Sequence, residues 1–256
     1  MQVSKLFTQL IIAAVGISTS YGQSTKNWIA EKMPPALETE YALSSLPPRL
    51  RDAASVYLLD PEKGYYLARK GTNGFTVFVI RTQIEEEDFF RDSYMSISFD
   101  EEGAKTFVPM YFDVAAMRAT GKYSLKQIRD TVLQRMKDGT YKAPSRTGIS
   151  YMLCPLNRVP KGGTFINDVM PHYMIYAPRV DDKDIGGAWD GGQSPFTVDS
   201  GLTLDKEHSI FNLIIVPAGN TEKANIIAQN KDLLDKLAAY KPYFKVNMAT
   251  AMEHHH

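Results

Sequence analysis

One cysteine, one internal histidine and two polar neighbours fall within a short run of this chain. Cys154 closes an apolar stretch over 148–154, and His172 opens another over 172–177. Asn157 and Arg158 begin the polar excursion between them. A thiolate held by an imidazole within hydrogen-bond reach is a nucleophile–base pair, and an amide such as Asn157 can orient the ring. Cys154 and His172 are therefore the catalytic candidates. Against them, a lone Cys in an apolar strand belongs to one of the most buried residue types, and no local motif marks it as reactive.

The same residues also allow binding without bond-making. The two-residue period of a strand puts His172, Met174 and Tyr176 on one face. The excursion after Cys154 must return to the start of the next strand, which brings Asn157 and Arg158 near His172 if the two strands are neighbours. The planar fork of Arg158 suits a carboxylate or phosphate. Asn157, Arg158, His172 and Tyr176 are thus the ligand-binding candidates, for a small anionic ligand or an envelope component. The plainer alternative makes His172 a satisfied core residue and points Arg158 at solvent.

Other chemistries fail on spacing. Asp181, Asp182, Asp184 and Asp190 offer oxygens to Ca²⁺. Read as an EF-hand loop from Asp182, however, Gly186 stands where a ligand belongs and Gln193 replaces the bidentate Glu. Cys154, His172 and His208 give no zinc spacing. The His-rich end over 253–256 is set aside as a tag or a frayed tail. Gly162-Gly163 and Gly186-Gly187 match no phosphate-binding fingerprint. Ser150, Ser194 and Ser200 lack the Gly-x-Ser-x-Gly elbow. No metal or cofactor is expected.

The elements that must position these residues read as three strands, two helices, three strands and a helix. Strands are expected over 55–60, 64–69 and 75–81 as a meander, with tight turns at 61–64 and at Asn73-Gly74. The strand over 75–81 is apolar on both faces, as in a sheet interior. Helices are expected over 103–119 and after Ser124, where Ser124 and Gln127 form a capping box. Strands follow over 148–154, 172–177 and 208–216, then a helix over 221–241. The run 179–201 has no period and reads as a long loop. This order predicts a single α+β domain over 54–241, its mostly antiparallel sheet carrying helices on one side. An N-terminal arm over 23–53, broken at Pro34-Pro35 and Pro47-Pro48, is expected to lie across the body and dock through Trp28 and Leu46. A tail covers 242–256.

Composition bounds the rest. The chain has 256 residues, 44% of them hydrophobic, with 29 Lys+Arg against 29 Asp+Glu. A balanced charge offers no electrostatic case for nucleic acid. Lys5, the short apolar run 10–15 and small residues Ser20 and Gly22 form a secretory leader over 1–22, with cleavage before Gln23. That run is too short to span a bilayer. A periplasmic or extracellular protein is expected. One Cys cannot make an internal bridge, so the fold must stand on its core.

The ordered set of Gly-Thr-Asn-Gly-Phe at 71–75, Gly-Ile-Ser-Tyr-Met-Leu at 148–153, and Pro171-His172 with Ala177-Pro178 resembles a group of exported bacterial proteins of unassigned activity. The resemblance covers roughly 54–217. It implies a compartment and a domain extent, and no mechanism. Two readings stay open: a binding or structural module of the cell envelope, or a small hydrolase-like enzyme using His172 with Cys154 or Tyr176.

Overall fold

Pro34 and Pro35 do not simply interrupt the chain; they start a helix. The structure, a computed structural model, describes residues 29–84, 91–187, 190, 193–199 and 209–246. The expected leader, Trp28, the acidic run 85–88, His208 and the His-rich end lie outside the described residues. Helix α1 (Pro35–Ser44) has Pro at its start, where a fixed φ suits the helix and the missing N–H is not needed. A second proline-led turn, α2 (Pro48–Arg51), follows. The arm expected to lie across the body does dock through Leu46, and it does so as two short helices and not as a broken, irregular segment. Tyr41, Ala42 and Leu46 are fully buried, and Tyr41 Oη donates to the Leu156 carbonyl at 2.7 Å.

Strands β1 (Ser55–Asp60) and β2 (Gly64–Arg69) form the expected hairpin. The chain then departs from a meander. Gly71 passes so close to the backbone of Ala53 and Ser55 that a Cβ there would overlap it. Gly74 takes φ +80°, and Asn73 Oδ1 accepts from the Phe75 N–H at 3.0 Å. The tight turn at Asn73 and Gly74 is present, but it delivers the chain to the far side of β1. There β3 (Thr76–Ile80) pairs with β1 in parallel. All five β3 residues are buried, so this strand gains most from neighbours on both edges.

β4 (Met95–Phe99) lies in a stretch whose composition reads as acidic and mixed. Its serines face inward. Ser96 Oγ donates to the Tyr41 carbonyl at 2.6 Å and Ser98 Oγ to that of Tyr151 at 3.1 Å, so burial leaves neither hydroxyl unpaired. The helix expected over 103–119 is two, α3 (Glu101–Thr106) and α4 (Val108–Ala119). Helix α5 (Leu125–Lys137) carries the capping box of Ser124 and Gln127. β5 (Ile149–Met152) follows. The polar excursion is a hairpin, β6 (Asn157–Lys161) with β7 (Thr164–Asp168). Gly162 and Gly163 both have positive φ at its tip, as a two-residue hairpin turn of this twist requires.

β8 (His172–Tyr176) comes next. The supposed long loop contains α6 (Asp182–Ile185) and β9 (Phe196–Asp199). After β10 (Asn212–Pro217), the last helix is again divided into α7 (Asn220–Gln229) and α8 (Lys231–Tyr240), before a 3₁₀ turn at Pro242–Phe244.

The main sheet runs β2-β1-β3-β4-β5-β8-β10-β9. Among the described strands only the β1–β3 pair is parallel. This is the expected α+β class with a mostly antiparallel sheet. The helices, expected on one side, cover both faces. Phe78, Phe99, Phe107, Ile128 and Val132 form a core under α3–α5. Tyr41, Val77, Val79, Leu237 and Phe244 form a second core under α1 and α8. A strand apolar on both sides, such as β3, needs cover on both.

Candidate functional site

Strands β5 and β8 are neighbours, with Met152 opposite His172 and Ile149 opposite Ile175. Adjacency does not bring the candidates into one cleft. On β8, Met174 and Tyr176 turn into the first core while Tyr173 turns toward the second. His172 shares the face of Met174 and Tyr176 by alternation. Arg158 lies on the side of the second core, against Tyr243, which packs on Phe244.

Each catalytic candidate is engaged internally. Cys154 is 2% exposed. Its thiol donates to Asn157 Oδ1 at 3.1 Å, with the Ser96 carbonyl at 3.7 Å. Burial pushes the thiol up to about 12, and the hydrogen bonds offset this only in part. A thiol so held stays protonated at neutral pH and is a poor nucleophile. His172 places Nδ1 2.7 Å from the Met170 carbonyl. A carbonyl only accepts, so Nδ1 carries the proton. Burial lowers the imidazole below its usual value, which keeps it neutral. Among the described residues no thiol or hydroxyl is hydrogen-bonded to its Nε2.

Tyr176 is 2% exposed. Its hydroxyl has Asp100 Oδ1 at 3.0 Å and the Ile149 carbonyl at 2.9 Å as acceptors. Burial raises its pKa far above the ordinary phenol value, and the Asp100 carboxylate adds to the shift. Asp100 also caps α3, accepting from the Gly103 N–H at 2.9 Å, while its second oxygen accepts from the Ile149 N–H at 3.0 Å. No Cβ fits at Gly103 or Gly148, because the Tyr176 ring and hydroxyl occupy that space. Two of the sequence motifs, around 148–153 and 172–178, therefore meet in a packed lock.

Asn157 is buried as well, and its Oδ1 accepts from the Ser96 N–H at 3.0 Å. It orients the turn after Cys154 and is not hydrogen-bonded to His172. The acidic loop is committed too. Asp181 and Asp184 cap α6, and Asp182 Oδ1 accepts from the Thr197 N–H at 2.6 Å. Among the described residues no group of carboxylates, His and Cys is placed to hold a metal ion.

Arg158 differs from all of these. Its backbone is fixed by a two-way bridge to Tyr94, at 2.8 and 2.9 Å. Its guanidinium carbon lies 4.4 Å from the Phe165 ring centroid and 4.2 Å from that of Tyr243. A guanidinium has five N–H donors. One, on Nη1, reaches Asn167 Oδ1 at 3.3 Å, and the buried Nε has no partner. Among the described residues no carboxylate forms an ion pair with it. The fully buried Arg81 is the contrast. Its Nε, Nη1 and Nη2 donate to the carbonyls of Ser93, Glu31 and Arg91 at 2.8–2.9 Å. Burial lowers the Arg158 pKa from its ordinary value, and nearby Tyr243 and Asp92 oppose that shift.

Sequence reasoning singled out Arg158 but missed its surroundings. Phe165 and Asn167 lie on a hairpin read as a loop, and Tyr243 lies in a segment set aside as tail. The Gly162-Gly163 pair was the signal for that hairpin. Compared with protein-family models, curated proteins and solved structures, the chain matches none.

Proposed function

We propose that this chain is an exported binding module of the cell envelope that takes a small ligand beside the β6–β7 hairpin, and that it is not a hydrolase. One contrast carries the reading. The thiol of Cys154, the imidazole of His172 and the hydroxyl of Tyr176 each have internal partners, while the cation of Arg158 retains unused donors. Nucleophilic catalysis needs a thiolate or alkoxide poised against a base, and among the described residues Cys154, His172 and Tyr176 form no such pair. The leader read over 1–22 and the resemblance to exported proteins support export.

Two experiments test this reading. Mass spectrometry of the exported fraction of the native host is expected to give a mature N-terminus near Gln23, and a Met1 start there would overturn export. Thermal unfolding against a panel of small anions, cations and neutral sugars is expected to show at least one saturable rise in Tm. Turnover of a chromogenic ester, amide or phosphate that is lost in His172→Gln would restore the hydrolase instead.

A further inference from the structure

We infer that Arg158 is the anchor of a carboxylate site, with the ligand's two oxygens facing the Nη1–Nη2 edge of the guanidinium. This rests on the binding reading above and narrows it to one chemical class and one residue.

The first argument is donor accounting. Arg158 is half-buried: its Nε lies away from water without a partner, while Nη2 is not withdrawn from solvent and can meet an incoming ligand. Arg158 has one acceptor, at the long distance of 3.3 Å. Two aromatic rings contribute cation–π attraction, which offsets part of the lost hydration but accepts no hydrogen bond in the guanidinium plane. Nη2 has no acceptor among the described residues, and Nη1 has one donor to spare. A carboxylate approaching that edge meets two parallel N–H donors, the strongest geometry an arginine offers.

The second argument is charge. Asp92 is close enough to act on Arg158, and it is held by Tyr243, whose hydroxyl donates to Asp92 Oδ1 at 3.2 Å. A dianionic phosphate at Arg158 would be repelled by Asp92 more than a monoanionic carboxylate would. The flanking Phe165 and Tyr243 rings also make desolvation of a doubly charged group more costly.

The third argument is preorganisation. The Arg158 backbone is clamped to Tyr94, and Asn167 is fixed by donating to the Tyr243 carbonyl at 2.8 Å. The guanidinium is therefore held between the hairpin and the C-terminal turn before any ligand arrives, which lowers the ordering cost of binding.

The test uses the Arg158 Nε–H resonance in ¹⁵N–¹H spectra, with acetate and inorganic phosphate as separate probes. Acetate is expected to move this resonance saturably and to raise Tm, with weaker or no effect from phosphate. Arg158→Lys keeps the charge but loses the two-pronged edge, and it is expected to weaken acetate binding at least tenfold. Asp92→Asn is expected to tighten it. A Tm rise of equal size in Arg158→Gln, or an unmoved Nε–H resonance at saturating acetate, would overturn the carboxylate site. A saturable response to a neutral sugar or a cation that survives Arg158→Gln would overturn it while leaving the binding module standing.

Discussion

Tyr176 donates its hydroxyl to Asp100 at 3.0 Å, and through that one carboxylate the end of β8 is tied to the cap of α3. The bond explains why a tyrosine on a buried face need not be part of a pocket. It also explains why glycines stand at 103 and 148.

Disrupting this lock is expected to cost stability and not function. Tyr176→Phe leaves the ring but removes the bond, at about 1–3 kcal/mol. Gly148→Ala forces a methyl group against the ring, at a similar cost. In urea unfolding, Tyr176→Phe and Asp100→Asn are expected to be non-additive, as in a shared hydrogen bond. Full additivity would break the assignment.

Cys154 is expected to resist alkylation in the folded protein. Its thiol is buried and held up to about 12, so iodoacetamide at neutral pH is expected to label it only at the rate of global unfolding. Rapid labelling under native conditions, at a rate independent of stability, would mean an accessible thiolate.

Stability is expected to fall as pH rises through neutrality because of Glu38. This carboxyl is 2% exposed and raised from 4.5 to about 7. Burial is the cause, partly offset by the Leu59 N–H at 2.9 Å and by Arg81 and Lys32. A folded pKa above the unfolded one means that the native state holds the proton more tightly. The contribution is complete below 4.5 and is lost as pH rises through about 7. The full effect is on the order of 3 kcal/mol. Glu38→Gln is expected to flatten the dependence between about pH 5 and about pH 8, measured as urea midpoints. An unchanged slope would show that Glu38 is ionised in the native state.

His172 acts in the opposite sense and at lower pH. Its folded pKa lies below 6.5, so its contribution is present above 6.5 and is lost as pH falls through the folded value. Following the His172 ring protons by NMR is expected to show a midpoint below that of an unfolded histidine. A midpoint above 6.5 would require an ionic partner that burial alone does not provide.

Much of the fold was legible in the chain because it depends on local signals. The spans of β1 and β2, the capping box at Ser124 and the two-sided β3 are all written in residue type and period. What escaped depends on long-range pairing. β4 alternates serine with apolar residues, which reads as a solvated strand or loop until Tyr41 and Tyr151 supply acceptors for the hydroxyls. Asn73 and Gly74 specify a turn, but they do not say on which side of β1 the chain returns. For the site, residue type identified Arg158. Whether its donors are used depends on Phe165, Asn167 and Tyr243, which come from two segments that give no local indication of meeting. Cys154 and His172 drew attention by rarity, and their burial depends on long-range packing that residue type does not show.

The seating of α1 has a consequence for the order in which this chain can mature. Tyr41 and Phe244 have their rings 6.5 Å apart, and Lys236 pairs with Glu40 at 2.7 Å. Helix α1 thus gains part of its cover only when residues 196 or more positions later in the chain have been made. Until then its apolar face has β1, β3 and β4 beneath it but lacks α8. A chain made from its N-terminus therefore closes this contact late, and the turn at Pro242–Phe244, whose Phe244 packs against Tyr41, completes it.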